Sequence, residues 1–250
     1  SHGPIIALGM FGIYLASTTL GIHPYISLFG VAILGLLLGI VIYYVAIPRV
    51  INAPHLSTLL ATFSVNMIII GLATSAFSTS PRNVEFSLGS INIETLKINV
   101  QTTRVVAAFV SVGVTGALFY FLYRTTPGKY IRAVTDNREA AELMGIPSSR
   151  VLALSFGLGT MLAAIAGGLI ATFFPFTVLS GSAYELKSFV IGVLGGLGNP
   201  LGALIGGVLL GAFEGILPKF MSTSWVPVIE FVLFVVILLV RPSGILGGKK

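Results

Sequence analysis

Long apolar runs separated by short polar breaks dominate the pattern of this chain. Six runs are close to the roughly 20 residues that an α-helix needs to cross the hydrocarbon of a bilayer. They cover residues 4–20, 25–47, 57–77, 104–123, 151–174 and 226–240. The first three carry no formal charge. The pattern therefore predicts six membrane-spanning helices.

Between the last two of these runs the pattern is different. Residues 188–199 are apolar but too short and too rich in glycine to cross a bilayer comfortably, and Pro200 starts a second apolar run to residue 217. This predicts a half-length or broken helix, a turn at residues 198–200 and a return helix, covered by protein or water because lipid does not tolerate irregular backbone. The chain is thus predicted to be an all-α polytopic membrane protein with about seven to eight membrane segments.

A polar stretch at residues 78–103 interrupts the apolar runs. In it, Val84, Phe86 and Leu88 alternate with polar residues, and apolar positions resume after a break at Gly89-Ser90. Alternation of period two is typical of a strand. We therefore expect an external loop with a small β-ribbon lying on the membrane face.

The other polar stretch, residues 124–150, carries eight of the 22 charged residues, which are 14 Lys and Arg and 8 Asp and Glu. So dense a charge predicts a segment in water between two spans. Pro127 and Gly128 are expected to end the preceding span.

A short helix is predicted at residues 137–144. Asp136 is expected to cap it, with Glu139 reaching back to complete a capping box. Gly145 supplies a left-handed C-terminal position and Pro147 blocks continuation. A helix of about two turns is unstable alone in water, so it needs a surface to pack on. That surface is either its own protein or a soluble partner.

One face of this short helix carries small side chains. Ala140, Ala141 and Met144 lie within one turn of each other, and Arg138 and Glu139 stand at the edge. A close-fitting contact with a partner is the functional interpretation.

Composition supports the membrane class. The chain is 55% hydrophobic and 9% charged, whereas soluble domains are about 25% charged. The net charge of +6 does not indicate nucleic-acid binding, because the basic residues are spread over the span ends. Alternating the spans puts nine of the 14 Lys and Arg on the side of segment 124–150. The positive-inside tendency makes that side cytoplasmic.

Small residues recur every four positions in several runs, which lets helices approach closely in lipid. The predicted helix-packing glycines are Gly159, Gly167, Gly202, Gly206, Gly207 and Gly211. Two roles remain open for these glycines: they either let the helices around a conduit slide past each other, or they only pack helices closely in a fixed arrangement.

Polar groups inside the runs are candidates for function. Asn66 is the most central, with Thr62 and Ser64 nearby, and the three are candidates for a translocation path or for helix-to-helix hydrogen bonds. Glu214 and Glu230 are expected to reach the interface or to pair with Lys219. The three histidines show no ligand spacing, and no nucleophile–base pair is visible, so neither a metal site nor a catalytic site is predicted.

Three motifs carry a resemblance to a known family. RAVTDNREAAELMGIPSSRVLALSFGLGTMLAAIAGGLIA, LKSFVIGVLGGLGNPLGALIGGVLLGAFE and LVRPSGILG together resemble the permease subunits of branched-chain amino acid ABC importers. The resemblance is nearer the LivH type than the LivM type. It implies that Glu139, Ala140, Ala141 and Gly145 belong to the loop that docks on an ATP-binding subunit. It also implies a further N-terminal helix ahead of His2-Gly3, which this sequence is expected to lack.

The resemblance further implies a prokaryotic inner-membrane machine. Its parts are two ATP-binding subunits, two permease chains and an extracytoplasmic binding protein; the second permease chain is either identical or LivM-like. ATP and magnesium are implied in the partner subunits and no cofactor in this chain, which is not an enzyme by itself. Urea or short amides are an alternative substrate class, and a stand-alone channel or ion-coupled carrier is a different class of function.

Overall fold

The structure, a computed structural model, describes residues 2–48, 55–93, 98–196, 198–240 and 244. Contacts divide the chain into two compact units, Ser1–Gly181 and Ser182–Lys250. Each unit is described by itself, and the single transmembrane domain expected over residues 1–250 stays a prediction.

The described residues are mostly helical. The helices are α1 His2–Thr19, α2 Pro24–Ala46, α3 His55–Phe77, α4 Thr102–Arg124, α5 Thr126–Asp136, α6 Arg138–Leu143, α7 Ser148–Ala171, α8 Ser180–Gly195, α9 Pro200–Ile216 and α10 Val226–Val240. Short 3₁₀ turns lie at Leu217–Lys219 and Thr223–Trp225. Strands β1 Ser90–Ile93 and β2 Ile98–Gln101 pair in antiparallel register. Six stretches of the described helices are long and apolar enough to cross a membrane, namely Pro24–Ala46, Leu60–Phe77, Thr102–Arg124, Ser148–Ala171, Pro200–Lys219 and Thr223–Val240.

Helices α1, α2 and α7 form the centre of the first unit. Small residues bring their backbones together: a methyl group on Gly9 would lie 2.8 Å from the carbonyl carbon of Ala164, and one on Gly39 would lie 2.9 Å from the Cα of Gly157. The Thr160 hydroxyl of α7 donates a 2.8 Å hydrogen bond to the carbonyl of Gly35 on α2. Backbone contact of this kind is what holds helices together in lipid, where apolar side chains gain little by leaving their surroundings.

An aromatic cluster closes one end of this unit. The Phe11 ring of α1 stacks on Phe77 with centroids 4.5 Å apart and meets Phe176 edge-on at 5.1 Å. The backbones of Phe176 and Arg82 exchange two hydrogen bonds of 2.8 and 2.9 Å. The polar stretch after α3 is thereby tied to the chain that leaves α7.

The predicted ribbon exists, but its position differs from the prediction. Val84 and Phe86, which were expected to start it, lie outside the strands. Two constraints explain this: the backbone pairing of Arg82 with Phe176 holds the first half of the stretch, and Gly89 turns the chain with a φ of 82° just before β1. That the ribbon lies outside the membrane stays a prediction.

In the second unit, α8 and α9 are separated by the turn predicted at residues 198–200, but the stretch Pro200–Lys219 that contains α9 is itself long and apolar enough to cross a membrane. That the two helices form a half-length pair stays a prediction. Asn199 caps α9 by accepting hydrogen bonds from the backbone N–H groups of Leu201 and Gly202. A methyl group on Gly202 would lie 2.6 Å from the carbonyl carbon of Gly195, so the two helices touch through backbone. Helix α8 begins at Ser180, eight residues before the apolar run at 188–199 from which a half-length or broken helix was predicted.

Candidate functional site

Segment 124–150 folds into two short helices, α5 and α6, before α7 begins. The preceding helix, α4, ends at Arg124, so Pro127 and Gly128 do not themselves end it as expected; they lie in the first turn of α5. Thr125 caps this helix, its hydroxyl accepting a 3.3 Å hydrogen bond from the Gly128 backbone N–H. Proline fits the first turn of a helix because the N–H groups there have no intrahelical partner.

The start of α6 also differs from the expected capping box. The capping residue is Asn137, whose extended backbone lets its Oδ1 accept a 3.0 Å hydrogen bond from the Ala140 N–H. Asp136 is the last residue of α5 and does not cap α6. Glu139 lies one position before Ala140, so it is not at the third helical position that a capping box requires.

The end of α6 confirms the left-handed position of Gly145, whose φ is 80°. Its N–H donates to the Glu142 carbonyl at 2.9 Å, and the N–H of Ile146 donates to the Ala141 carbonyl at 3.0 Å. This pair of bonds is a Schellman motif, which satisfies carbonyls that the helix leaves free. Both ends of α6 are therefore fixed by hydrogen bonds, although the helix has only six residues.

The inner face of α6 packs on the protein itself. Ala141 is 5% exposed and belongs to an apolar cluster with Ile131, Val134 and Val151, which come from α5 and α7. The expectation that Ala141 faces outward with Ala140 and Met144 is wrong. Its small size lets α6 lie close against its neighbours, which is the support that so short a helix requires.

The outer face of α6 is apolar at its C-terminal end. Leu143 is 88% exposed and Met144 is 83% exposed. Two large apolar side chains that stand exposed on a charged segment indicate a contact surface. Sequence reasoning missed Leu143, although its position two residues from Ala141 puts it on the opposite face of a helix.

An ion pair borders this apolar surface. The Arg138 Nε donates a 2.9 Å hydrogen bond to Glu142 Oε1, and this contact lowers the pKa of Glu142 from its ordinary value. A lowered carboxyl pKa means that the stabilisation is present at neutral pH and is lost as the pH falls through that pKa. Arg138 and Glu142 thus also brace α6 from i to i+4.

The three candidate path residues do not share one face of α3. Thr62 and Asn66 are four positions apart and lie on the same side, whereas Ser64 is rotated away and donates to the Leu60 carbonyl at 2.8 Å. The Oδ1 atom of Asn66 is buried and accepts no hydrogen bond from the described residues. Asn66 therefore keeps a free acceptor, and the translocation role of all three residues stays a prediction.

The candidate glycines fall into two groups. Gly167, Gly202 and Gly206 pack closely: a methyl group on them would meet backbone atoms of Ile6, Gly195 and Ile191. A methyl group on Gly159 or Gly211 would meet no atom within 4 Å in the described part of the chain, and one on Gly207 would make only an ordinary contact. The prediction that these three glycines pack helices closely is therefore wrong within this chain. Gly159 instead lines an apolar cleft of about 340 Å³ between α1, α2 and α7.

Charged groups of the second unit meet in a way that the sequence did not indicate. Lys187 of α8 forms an ion pair with Glu214 of α9, whereas Glu214 was expected to reach the interface or to pair with Lys219. Glu230 of α10 is 6% exposed, and its buried Oε1 has no hydrogen-bond partner among the described residues. The unexpected start of α8 explains the difference, because it puts Lys187 inside a helix that packs beside α9.

Comparison with known proteins identifies the family. The family described as "Branched-chain amino acid transport system / permease component" matches residues 1–240. The chain belongs to this family. With six stretches able to cross a membrane among its described helices, this family member is a multi-pass membrane protein.

Individual relatives agree with the family. The high-affinity branched-chain amino acid transport system permease protein LivH of Escherichia coli K12 is 38% identical over 135 residues, which cover 54% of this chain and 44% of that protein. A probable LivH of Methanocaldococcus jannaschii is 27% identical over 261 residues, covering 98% and 83%. BraD of Pseudomonas aeruginosa is 32% identical over 173 residues, covering 68% and 54%. The chain thus spans less than half the length of the Escherichia coli relative, and no solved structure matches it.

Proposed function

We propose that this chain is a permease subunit of an ATP-driven importer that moves branched-chain amino acids across the cytoplasmic membrane of a prokaryote. The family match over residues 1–240 carries the proposal. The apolar helices provide the membrane barrier, and the chain acts by alternating access rather than by catalysing a reaction. ATP hydrolysis then takes place in separate subunits.

The proposed machine has three kinds of partner for this chain. Two ATP-binding subunits dock on the cytoplasmic side, a second permease chain packs beside this one, and an extracytoplasmic binding protein delivers the substrate. The second permease chain is a copy of this one or a LivM-like relative. Three glycines are available for close packing with that second chain, namely Gly159, Gly207 and Gly211. A methyl group on any of them would make at most an ordinary van der Waals contact within this chain.

Helix α6 is the proposed docking element. Its ends are fixed by hydrogen bonds to Asn137 and Gly145, and its inner face rests on α5 and α7 through Ala141. We expect motion of the ATPase to reach α7 as a rigid displacement, because hydrogen bonds fix both ends of α6 and Ala141 packs it against α5 and α7. Such a displacement would shift the equilibrium between two packings of the membrane spans, as domain closure does in other proteins that switch between two states.

A second substrate class has a specific observation behind it. The autoinducer 2 import system permease protein LsrC of Klebsiella pneumoniae is 35% identical over 113 residues, which cover 42% of this chain and 33% of that protein. Permeases named for a different cargo therefore share part of this sequence. Branched-chain amino acids remain the first proposal, because the relatives with the broader coverage of this chain carry that name.

Reconstitution tests the proposed function. The complete permease is co-expressed with the ATPases and binding protein of the same importer and placed in vesicles. We expect uptake of labelled leucine that requires both ATP hydrolysis and the binding protein. An excess of unlabelled autoinducer 2 should not reduce this uptake. Uptake without ATP would indicate a channel or an ion-coupled carrier instead, and competition by autoinducer 2 would support the second substrate class.

Single-cysteine labelling tests the membrane topology. The sequence has no cysteine, so Arg138→Cys and Lys219→Cys each introduce one target at an exposed position. A membrane-impermeant thiol reagent added to intact cells should label residue 219 and leave residue 138 unlabelled until the membrane is opened. The reverse pattern would put segment 124–150 outside and remove α6 from reach of a cytoplasmic ATPase.

A further inference from the structure

An apolar cleft of about 310 Å³ lies between α2 and α4 in the first unit. Its walls are side chains of α2, α4 and α7, among them Tyr25, Phe29, Ala32, Val110, Val114 and Ile165. The Tyr25 hydroxyl marks one end of the cleft, where it donates a 3.3 Å hydrogen bond to the Thr103 carbonyl at the start of α4. Phe29 is 77% exposed, so the cleft is open to the surroundings of the helices.

The depth of the cleft matches one leaflet of a bilayer. Helix α4 is long and apolar enough to cross a membrane, and Thr103, Val110 and Val114 lie on one of its faces because they are spaced by seven and four residues. Val114 is about 16 Å beyond Thr103 at 1.5 Å per residue. This is about half of the roughly 30 Å of hydrocarbon in a bilayer. With Thr103 at the interface, the cleft reaches the middle of the membrane.

The lining of the cleft favours a flexible acyl chain over a helix of another protein. Helices approach each other in lipid through small residues, but no glycine lines this cleft, and Ala32 is its one small residue. A helix with its side chains is also about 10 Å wide. Branched and aromatic walls around a narrow space suit a hydrocarbon chain, which bends to follow them.

A cation stands at the interfacial end of the cleft. Arg104, the residue after Thr103, holds its guanidinium 4.8 Å from the centre of the Phe174 ring, and its Nε donates a 3.1 Å hydrogen bond to Gln101 Oε1. Within the described part of the chain, no carboxylate forms an ion pair with Arg104. A guanidinium has five N–H donors in a planar fork that matches a phosphate group. The side chain is thus oriented by its neighbours and can still bind an anion.

A polar recess of about 660 Å³ adjoins the same arginine. Arg104 lines it together with Ser87, Ser90 and Gln101, and none of the lining residues is acidic. A headgroup that carries an ammonium ion would find no carboxylate in this lining. The serine hydroxyls and the glutamine amide can instead exchange hydrogen bonds with the hydroxyl groups of an uncharged headgroup such as glycerol.

We propose that the cleft and Arg104 form a binding site for an anionic phospholipid of the phosphatidylglycerol class. The phosphate binds Arg104, the glycerol headgroup occupies the recess, and one acyl chain lies in the cleft between α2 and α4. The lipid fills the space beyond the point where Tyr25 joins these two helices to each other. The site does not depend on which substrate is transported.

Native mass spectrometry of the complete transporter complex, titrated with phosphatidylglycerol, tests the headgroup end of the site. Arg104→Gln should weaken binding by about tenfold, because charge-assisted hydrogen bonds to the phosphate are lost. Lys219→Gln is the matched control: it removes an exposed positive charge at the end of another stretch that can cross a membrane, and it should leave the affinity unchanged. Phosphatidylethanolamine should bind the unaltered complex more weakly than phosphatidylglycerol.

A second pair of variants tests the acyl-chain end. Ala32→Phe places a ring in the cleft and should weaken phosphatidylglycerol binding several-fold. Ile33→Phe adds a ring at the next position, which is 59% exposed and does not line the cleft, so it should bind the lipid as the unaltered complex does. The same spectra report the subunit composition of each complex, which should not change.

Three outcomes would overturn the proposal. The first is unchanged phosphatidylglycerol affinity in Arg104→Gln or in Ala32→Phe. The second is binding of inorganic phosphate as tightly as the lipid, which would make Arg104 a site for the free anion. The third is loss of a protein subunit from the Ala32→Phe complex, which would assign the cleft to a protein partner. Arg104 is exposed, so the Arg104→Gln complex is expected to fold and to decide the question even where Ala32→Phe assembles poorly.

Discussion

Leu143→Asp is expected to weaken binding of the ATPase to this permease while leaving the chain folded. Leu143 is 88% exposed and its neighbour Met144 is 83% exposed, so a charge at position 143 meets water in the free chain and an apolar groove in the complex. Loss of one well-buried apolar anchor at an interface typically costs about 2 kcal/mol, which is a weakening of roughly thirtyfold. The measurement is co-purification of the ATPase with the tagged permease, followed by leucine uptake in vesicles.

Two further variants separate docking from folding. Met144→Leu keeps an apolar side chain of similar size and should retain the ATPase. Ala141→Arg should behave differently from Leu143→Asp, because Ala141 is buried against Ile131, Val134 and Val151, and the arginine would push α6 off its own protein. Limited digestion with proteinase K, which does not require arginine or lysine, should therefore speed up in Ala141→Arg and not in Leu143→Asp. Full binding and uptake by Leu143→Asp would remove this face of α6 from the interface.

Five of the six predicted membrane spans match described stretches that are long and apolar enough to cross a membrane. The first, residues 4–20, is helical but is not among these stretches, and Pro200–Lys219 is. Helix α10 begins and ends where its apolar run does, and α2 and α4 differ from their predicted runs by one or two residues. This agreement has a physical basis: lipid leaves a chain no option but to pair its backbone groups internally, so an apolar run of sufficient length becomes a helix. Local chemistry was equally informative at Gly145, where a left-handed position ends α6.

Side-chain direction was harder to read, because it depends on contacts far along the chain. The six residues of α6 have no long periodicity from which a buried face could be inferred, and only α5 and α7 decide that Ala141 points inward. Helix α5 was missed because Pro127-Gly128 has the composition of a helix end as well as of a first turn. The pairing of Lys187 with Glu214 was missed because the two residues lie 27 positions apart, beyond the reach of local sequence patterns.

The packing glycines illustrate the same limit. Spacing by four residues selects Gly159 and Gly167 alike, yet the structure gives them opposite surroundings. A methyl group on Gly167 would lie 2.8 Å from the carbonyl carbon of Ile6 on α1, whereas one on Gly159 would meet nothing within 4 Å. Both are on α7, two turns apart, so the same substitution can be compared in nearly the same context.

Gly167→Ala is accordingly expected to be much more damaging than Gly159→Ala. The added methyl group at 167 meets backbone, which cannot rotate away as a side chain can, so α1 and α7 must separate and their other contacts weaken. Overpacking of this kind costs about 1–3 kcal/mol, and the cost here should fall at the upper end because Gly9 and Ala164 in the same seam are also in backbone contact. Gly159→Ala should change stability by less than about 1 kcal/mol, which is the intrinsic difference between alanine and glycine in a helix.

Thermal unfolding of the detergent-purified complex and leucine uptake together measure this difference. We expect Gly167→Ala to lower the unfolding temperature and the uptake rate, and Gly159→Ala to preserve both. A loss of uptake in Gly159→Ala without a loss of stability would point to the cleft beside Tyr43 and Phe156 as part of the transport path, since residue 159 lines it. Equal stability of the two variants would mean that α1 and α7 are not in backbone contact at Gly167. The close packing of α1 on α7 described for the first unit would then be wrong at this position.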